Sequence, residues 1–221
     1  LRCHILWLYP FGWVYGRKHG APEAGVRRPV ILVHGFGHNR SAFYPLIGRL
    51  RAAGWKNIYT LNLLPVFGGV HGRGVRLKNF VEKVMRRTRV SSVDLIGHSL
   101  GGIVSRYYVT KLGGKKHVHA LVTLGSPNQG TKISTFGVGQ IPKELTPGNP
   151  LLESLNKEST NGTRMVSIYS IHDWAIHPPR NARLPGLGRN VELKNLGHLG
   201  LLYAPEVFEE IRRTLLEPAQ E

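Results

Sequence analysis

A single cysteine, Cys3, stands in the 221 residues, so no intramolecular disulfide can staple this chain and its fold must rest on a packed core. Acid is scarce: 13 Asp and Glu face 30 Lys and Arg, a formal charge of +17, and only two of the acids, Asp94 and Asp173, are aspartates. The basic residues are scattered, with modest clusters at Arg27-Arg28, Arg86 to Arg89, Lys115-Lys116 and Arg212-Arg213. No nucleic-acid-binding motif accompanies them, so no nucleic-acid partner is expected; what remains is solubility or peripheral contact with anionic membrane or lipid interfaces. No apolar run reaches the roughly 20 residues of a transmembrane helix. The apolar and aromatic opening, Leu1 to Gly16, is broken by Arg2, His4 and Pro10, and it lacks the small-residue cleavage site of a signal peptide. We read residues 1–28 as an aromatic arm and its Gly/Pro-rich linker. Internal repeats and long low-complexity tracts are also missing.

What is present suits one domain over residues 29–221, with 41% hydrophobic residues to fill a core. Val30-Ile31-Leu32-Val33 is a short β-branched run ending at His34-Gly35, the pattern of a central strand. Ser41 fits a helix N-cap, with Phe43, Leu46, Ile47 and Leu50 on one face and Gly54 as the stop. Asn57 to Leu61 reads as a strand, and Leu77, Phe80, Val81, Val84 and Met85 mark an amphipathic helix. Strands follow at Val93–Ile96, Ala120–Leu124, Val166–Ser170 and Asn190–Leu193. Helices are expected after the third strand (Leu100, Ile103, Val104, Tyr107, Tyr108) and at the end (Val207, Phe208, Ile211, Leu215). This alternation predicts a mostly parallel sheet with helices on both faces. Residues 127–163 break the rhythm, and their glycines and prolines suggest an irregular, flap-like insertion with one helical run near Leu151 to Leu155.

Chemistry concentrates after the strands, where ligands of such sheets bind. Gly97-His98-Ser99-Leu100-Gly101 follows a strand and opens a helix, so the turn pushes Ser99 out above the sheet edge as a nucleophile elbow. A serine hydroxyl needs a base, and the base needs a third group to fix its tautomer. His198 lies in the glycine-flanked loop Asn195 to Gly200, between the last strand and the last helix; His117 and His119 lie at a strand start and read as structural or solvated. Asp94 precedes the serine within a strand and suits a polar partner for a nearby loop. Asp173 lies just past a strand, 25 residues before His198, and is the expected acid, ahead of Glu144, Glu153, Glu158 and Glu192. Backbone N–H groups of Leu100 and of Phe36, in His34-Gly35-Phe36-Gly37, are the expected oxyanion donors.

Val33-His34-Gly35-Phe36-Gly37, Gly97 to Gly102, Thr123-Leu124-Gly125-Ser126-Pro127 and Gly197 to Tyr203 together resemble the bacterial triacylglycerol lipases of the α/β-hydrolase superfamily. The last block is most similar to the small Bacillus-type lipases. The resemblance implies the α/β-hydrolase fold with minimal or no lid, a Ser99–His198–Asp173 triad, an oxyanion hole at Phe36 and Leu100, and hydrolysis of lipid or other apolar acyl esters. The same triad would also serve thioesters, phospholipids, lactones or polyesters. A binding or anchoring module on the hydrolase scaffold is a different class, against which the intact triad argues. The calcium and zinc sites of some lipase families use paired aspartates, hard to assemble from Asp94 and Asp173, so no metal and no cofactor is expected. His172 and His177 flank Asp173, but a metal there would compete with the triad acid. A secreted or cell-envelope location fits this family, with the cytoplasm left open, as is the oligomeric state.

Overall fold

The computed structural model describes residues 27–63, 69–160 and 162–218. The expected aromatic arm lies outside them, apart from its last two residues. Six strands, β1 (Val30–Val33), β2 (Ile58–Leu61), β3 (Val93–His98), β4 (Val118–Leu124), β5 (Arg164–Ser170) and β6 (Arg189–Leu193), form one sheet in the order β2-β1-β3-β4-β5-β6. Every neighbouring pair is parallel. Val33 pairs with Gly97 and Gly97 with Thr123, so β1, β3 and β4 finish level and bring their following loops side by side. That register places the expected chemistry on one edge.

Both faces are covered, which is why the strands read as continuous β-branched runs. Alternate residues point to opposite faces. Ile31, Val33, Leu95 and Leu121 pack under α2 (Val70–Thr88) and α3 (Leu100–Lys111), against Leu77, Val81, Val84, Ile103, Val104 and Tyr108. Val30, Leu32, Ile96 and Val122 face α1 (Tyr44–Ala52) and the last helix, Pro205–Leu216, through Phe43, Leu46, Leu50, Val207, Ile211 and Leu215. Each of these side chains contributes about 1.5–3 kcal/mol on burial.

Two local expectations need correction. The turn of helix before α1 is capped by Asn39, not Ser41: the Asn39 carboxamide oxygen accepts the Ser41 N–H at 3.0 Å and the Ser41 hydroxyl at 2.7 Å. Residues 127–163 are also more ordered than an irregular flap. They contain a helical turn at Lys132–Phe136 and two helices, α4 (Gln140–Glu144) and α5 (Pro150–Lys157), and Ile141, Leu145, Leu152 and Leu155 join the core under α2 and α3. Two of the prolines, Pro142 and Pro150, misled because they occupy first turns of helices, where a missing N–H costs nothing. Pro150 starts α5 behind Asn149, whose side chain accepts the Leu151 N–H at 2.9 Å.

Candidate active site

The turn after β3 is tight because two close approaches exclude side chains. A Cβ on Gly97 would enter the backbone of Gly101 and Gly102, and one on Gly101 would enter the Val33 carbonyl. Ser99 between them is held at φ 54°, ψ −123°, a conformation costly for a residue with a side chain and typical of functional turns. Its N–H donates to the Leu124 carbonyl at 2.9 Å, which locks the turn to β4. Leu100 is the first residue of α3, where backbone N–H groups have no acceptor within the helix. The loop after β1 lies against this turn: a Cβ on Gly35 would come 2.9 Å from the Ser99 Cβ. Phe36, next in that loop, is half exposed at 52%.

Asp173 and His198 are brought together from the loops after β5 and β6. The His198 Nδ1–H donates to Asp173 Oδ2 at 2.8 Å, with both side chains nine-tenths or more buried. The other carboxylate oxygen, Oδ1, accepts the Ala175 N–H at 2.9 Å, so the acid is oriented from both sides. A ring donating from Nδ1 to a carboxylate keeps its lone pair on Nε2, the tautomer a general base requires. Asn195, at φ 60°, shapes the histidine loop, and its N–H donates to His172 Nδ1 at 3.0 Å.

Four of the other candidate carboxylates are engaged elsewhere. Asp94 holds His119 Nδ1 at 2.8 Å and Arg28 Nε at 3.4 Å, at the opposite edge of the sheet. Glu144 accepts the Val70 N–H, Glu158 pairs with Lys111, and Glu192 accepts the Tyr169 hydroxyl. Among the described residues no three His, Cys, Asp or Glu side chains gather into a metal-binding group.

Sequence reasoning missed several residues around Ser99. His34 is buried: its Nδ1–H donates to the Gly35 carbonyl at 2.9 Å and its Nε2 accepts the Leu63 N–H at 3.0 Å. Burial lowers its pKa to about 4. Arg106, fully buried on α3 and pulled down to about 9 by desolvation, donates to Asn128 and to the Leu155 carbonyl and Asn156 side chain of α5. It staples the 127–160 segment to the helix behind Ser99. Trp174 lies edge-on to His198, with ring centroids 6.0 Å apart, and is 65% exposed.

Trp174 belongs to a wider pattern. Of the seven large hydrophobic residues exposed among the described residues, six (Phe36, Ile133, Phe136, Val138, Ile171 and Trp174) sit in segments following β1, β4 and β5. The 131–145 stretch is tied at one end to the loop after β5, where Thr131 Oγ1 donates to the Ala175 carbonyl, and at the other to the start of α2 through Glu144. A cavity of about 360 Å³ between Gln129, Arg180, Arg183 and Asn190 shares no residue with the Ser99 group.

Comparison with known proteins places this architecture. The mature form of the Bacillus licheniformis lipase BlEst2 superposes with a TM-score of 0.76 at 16% identity, covering 90% of this chain and 96% of that one. Aspergillus fumigatus lipase B gives 0.77 at 17% identity, over 92% of this chain and 56% of that one. The fold is therefore that of the α/β-hydrolases. A triacylglycerol lipase of Pseudarthrobacter phenanthrenivorans is 35% identical over 121 residues, 51% of this chain and 37% of that protein. One of Burkholderia plantarii is 35% identical over the same length, 51% of this chain and 33% of that protein. The match thus spans about a third of the length of these curated relatives. A family model described as palmitoyl protein thioesterase matches residues 29–170, nearly two thirds of the sequence, and the chain belongs to that family.

Proposed function

We propose that this protein is a serine carboxylic ester hydrolase that cleaves lipid or other apolar acyl esters through an acyl-enzyme on Ser99. The observation that carries the proposal is the buried 2.8 Å contact between His198 Nδ1 and Asp173, on the same edge of the sheet as the strained Ser99 turn. Ser99 Oγ attacks the acyl carbonyl carbon as His198 Nε2 takes its proton. The oxyanion is received by the backbone N–H groups of Leu100 and Phe36. The C–O bond to the alcohol then breaks, the leaving oxygen taking the proton from His198, and water repeats the cycle to release the acid. Fold alone does not fix this chemistry, so the triad has to be tested directly. A fluorophosphonate probe should label Ser99 in the intact protein and fail on Ser99→Ala. An unlabelled protein that hydrolyses no ester would return the chain to a binding role on a hydrolase scaffold.

A second substrate class rests on the family match: its description names a thioesterase, and the same triad would transfer an acyl group from sulfur as readily as from oxygen. Parallel profiles of p-nitrophenyl esters and acyl thioesters over a range of chain lengths separate the two. The exposed apolar rim also bears on the partner. Residues 35–40, 127–145, 171–184 and 194–200 carry six Lys and Arg against two acids, Asp173 and Glu144, both already bonded. Apolar side chains flanked by cations suit an anionic lipid surface as the place where substrate is met.

A further inference from the structure

We propose that His98, the residue before Ser99, is a positioning residue that holds the His198 loop at a fixed distance from the nucleophile turn. This rests on the reading of Ser99 and His198 as nucleophile and base. His98 ends β3, so its backbone is fixed in the sheet opposite Leu124. Its side chain is 1% exposed and reaches a loop 100 residues away: Nε2 lies 3.2 Å from the His198 carbonyl oxygen. A carbonyl only accepts, so Nε2 carries the hydrogen. The two imidazole rings also pack directly, with centroids 4.6 Å apart and planes inclined by 47°.

The far side of the ring shows what the imidazole is there for. Its Nδ1 is buried with no hydrogen-bond partner among the described residues. It faces the loop after β1, where a Cβ on Gly35 would come within 3.3 Å of it, and the His38 ring stands edge-on at 6.3 Å. A side chain serving only to fill this space would be apolar, since a bare buried lone pair is costly. Among the described residues, the one polar bond of this ring goes to the base loop. Burial holds its pKa well below the usual histidine range, so it brings no positive charge beside His198 as that residue takes up a proton.

His198 is anchored at Nδ1 by Asp173, and a ring held at one atom can still swing about that bond. The tie from His98 fixes the backbone from which the ring hangs. His98 thereby wedges three segments into register: its own turn, the histidine loop and the oxyanion loop.

Three substitutions test this, because the amide nitrogen of glutamine falls near Nε2 of a histidine and that of asparagine near Nδ1. His98→Leu and His98→Asn should lower kcat on a soluble p-nitrophenyl ester by about 10²-fold, the cost of a misplaced catalytic group, with KM little changed. His98→Gln should recover most of that loss. The downfield NMR resonance of the His198 Nδ1 proton should shift or broaden in the Leu and Asn variants and persist in the Gln variant. If His98→Leu does not fold, the Gln and Asn variants alone decide the matter. Full activity in the Leu or Asn variant, or no advantage of Gln over Asn at equal Tm, would overturn the proposal. A wild-type protein that fluorophosphonate leaves unlabelled at Ser99 would instead overturn the triad, while the His198 resonance would still show whether His98 holds the ring.

Discussion

The two aspartates of this chain do the same thing at opposite ends of one sheet. Asp94 holds His119 Nδ1 at 2.8 Å and Asp173 holds His198 Nδ1 at 2.8 Å, all four side chains being buried. The surroundings differ. Asp94 sits near the start of β3, and Arg28 closes over its second oxygen at 3.4 Å. Arg164 reaches His119 Nε2 at 3.5 Å, and the two arginines bond the Leu215, Glu217 and Pro218 carbonyls at the end of the last helix. The two arginines thus tie the end of the last helix to the sheet. Asp173 lies beyond the strand ends, takes an Ala175 N–H on its second oxygen, and leaves its histidine beside Trp174 and the serine turn. A buried Asp–His pair is therefore no signature of catalysis by itself; the proposed role of Asp173 and His198 rests on the strand end at which they sit.

Substitution at the two ends should separate these roles most sharply. Ser99→Ala should remove about 10⁶ of kcat, and Asp173→Asn about 10⁴, because the asparagine favours the wrong imidazole tautomer. Ser99→Ala should leave Tm within assay error, and Asp173→Asn should lower it only modestly. Asp94→Asn should do the reverse. It should cost about 2 kcal/mol of stability, several degrees in Tm, with kcat on a soluble ester unchanged. Thermal melts and ester assays on the three variants check this. An inactive but stable Asp94→Asn protein would erase the distinction.

The edges also differ in how they meet acid. The Ser99 end carries histidines that stay neutral: buried His34 is lowered to about 4, and half-buried His38 and buried His98 are lowered as well, all chiefly by desolvation. In the unfolded chain they bind protons near pH 6.5. Between that pH and about 4 the unfolded state holds more protons, so stability falls as pH falls, by up to about 3 kcal/mol from His34 alone. Tm should drop from pH 7 to pH 4.5 with a slope that His34→Gln makes shallower, although that variant starts lower for want of the Nδ1 bond to Gly35. An equal slope in both proteins would assign acid lability elsewhere.

Much of this was legible in the sequence, for reasons that differ by element. The central strands were readable because burial on both faces favours runs of β-branched and leucine side chains, as in Val30–Val33, and α2 because its apolar residues recur at helical spacing. The serine turn was readable because two close backbone approaches demand glycine at fixed positions. The pairing of Asp173 with a histidine was a matter of elimination: with two aspartates in the chain, order along it left one. Residues 127–163 misled because a proline signals a break in sequence whether it starts a helix or ends one, and only packing of Ile141 and Leu155 against the core tells which. His98 and Arg106 were invisible for a different reason. His98 bonds a backbone carbonyl, that of His198, and half of the Arg106 bonds go to the Asn128 and Leu155 carbonyls, atoms that carry no residue signal; the other two reach Asn128 and Asn156 side chains far along the chain.

The smallest expected effect concerns what each edge presents to its surroundings. Among the described residues, six of the seven exposed large hydrophobics stand on segments after the strands, and the seventh, Leu216, ends the last helix. Phe136 and Val138, 89% and 97% exposed, contribute nothing to the core, so replacing them with serine should leave Tm and hydrolysis of a soluble ester as they were. On vesicles containing an anionic lipid the loss should be plain. Each apolar side chain withdrawn from the interface forfeits about 1.5 kcal/mol or more, roughly tenfold in binding. The basic flanks add up to about 1 kcal/mol per Lys or Arg near the surface, fading within a Debye length, so binding of the wild type should also weaken as salt rises. Co-sedimentation with vesicles across a salt series reads both terms. Binding that ignores Phe136→Ser and Val138→Ser but disappears when residues 1–16 are removed would move the lipid contact from the strand-end rim to the aromatic arm. The comparison of the two edges would then hold for chemistry alone.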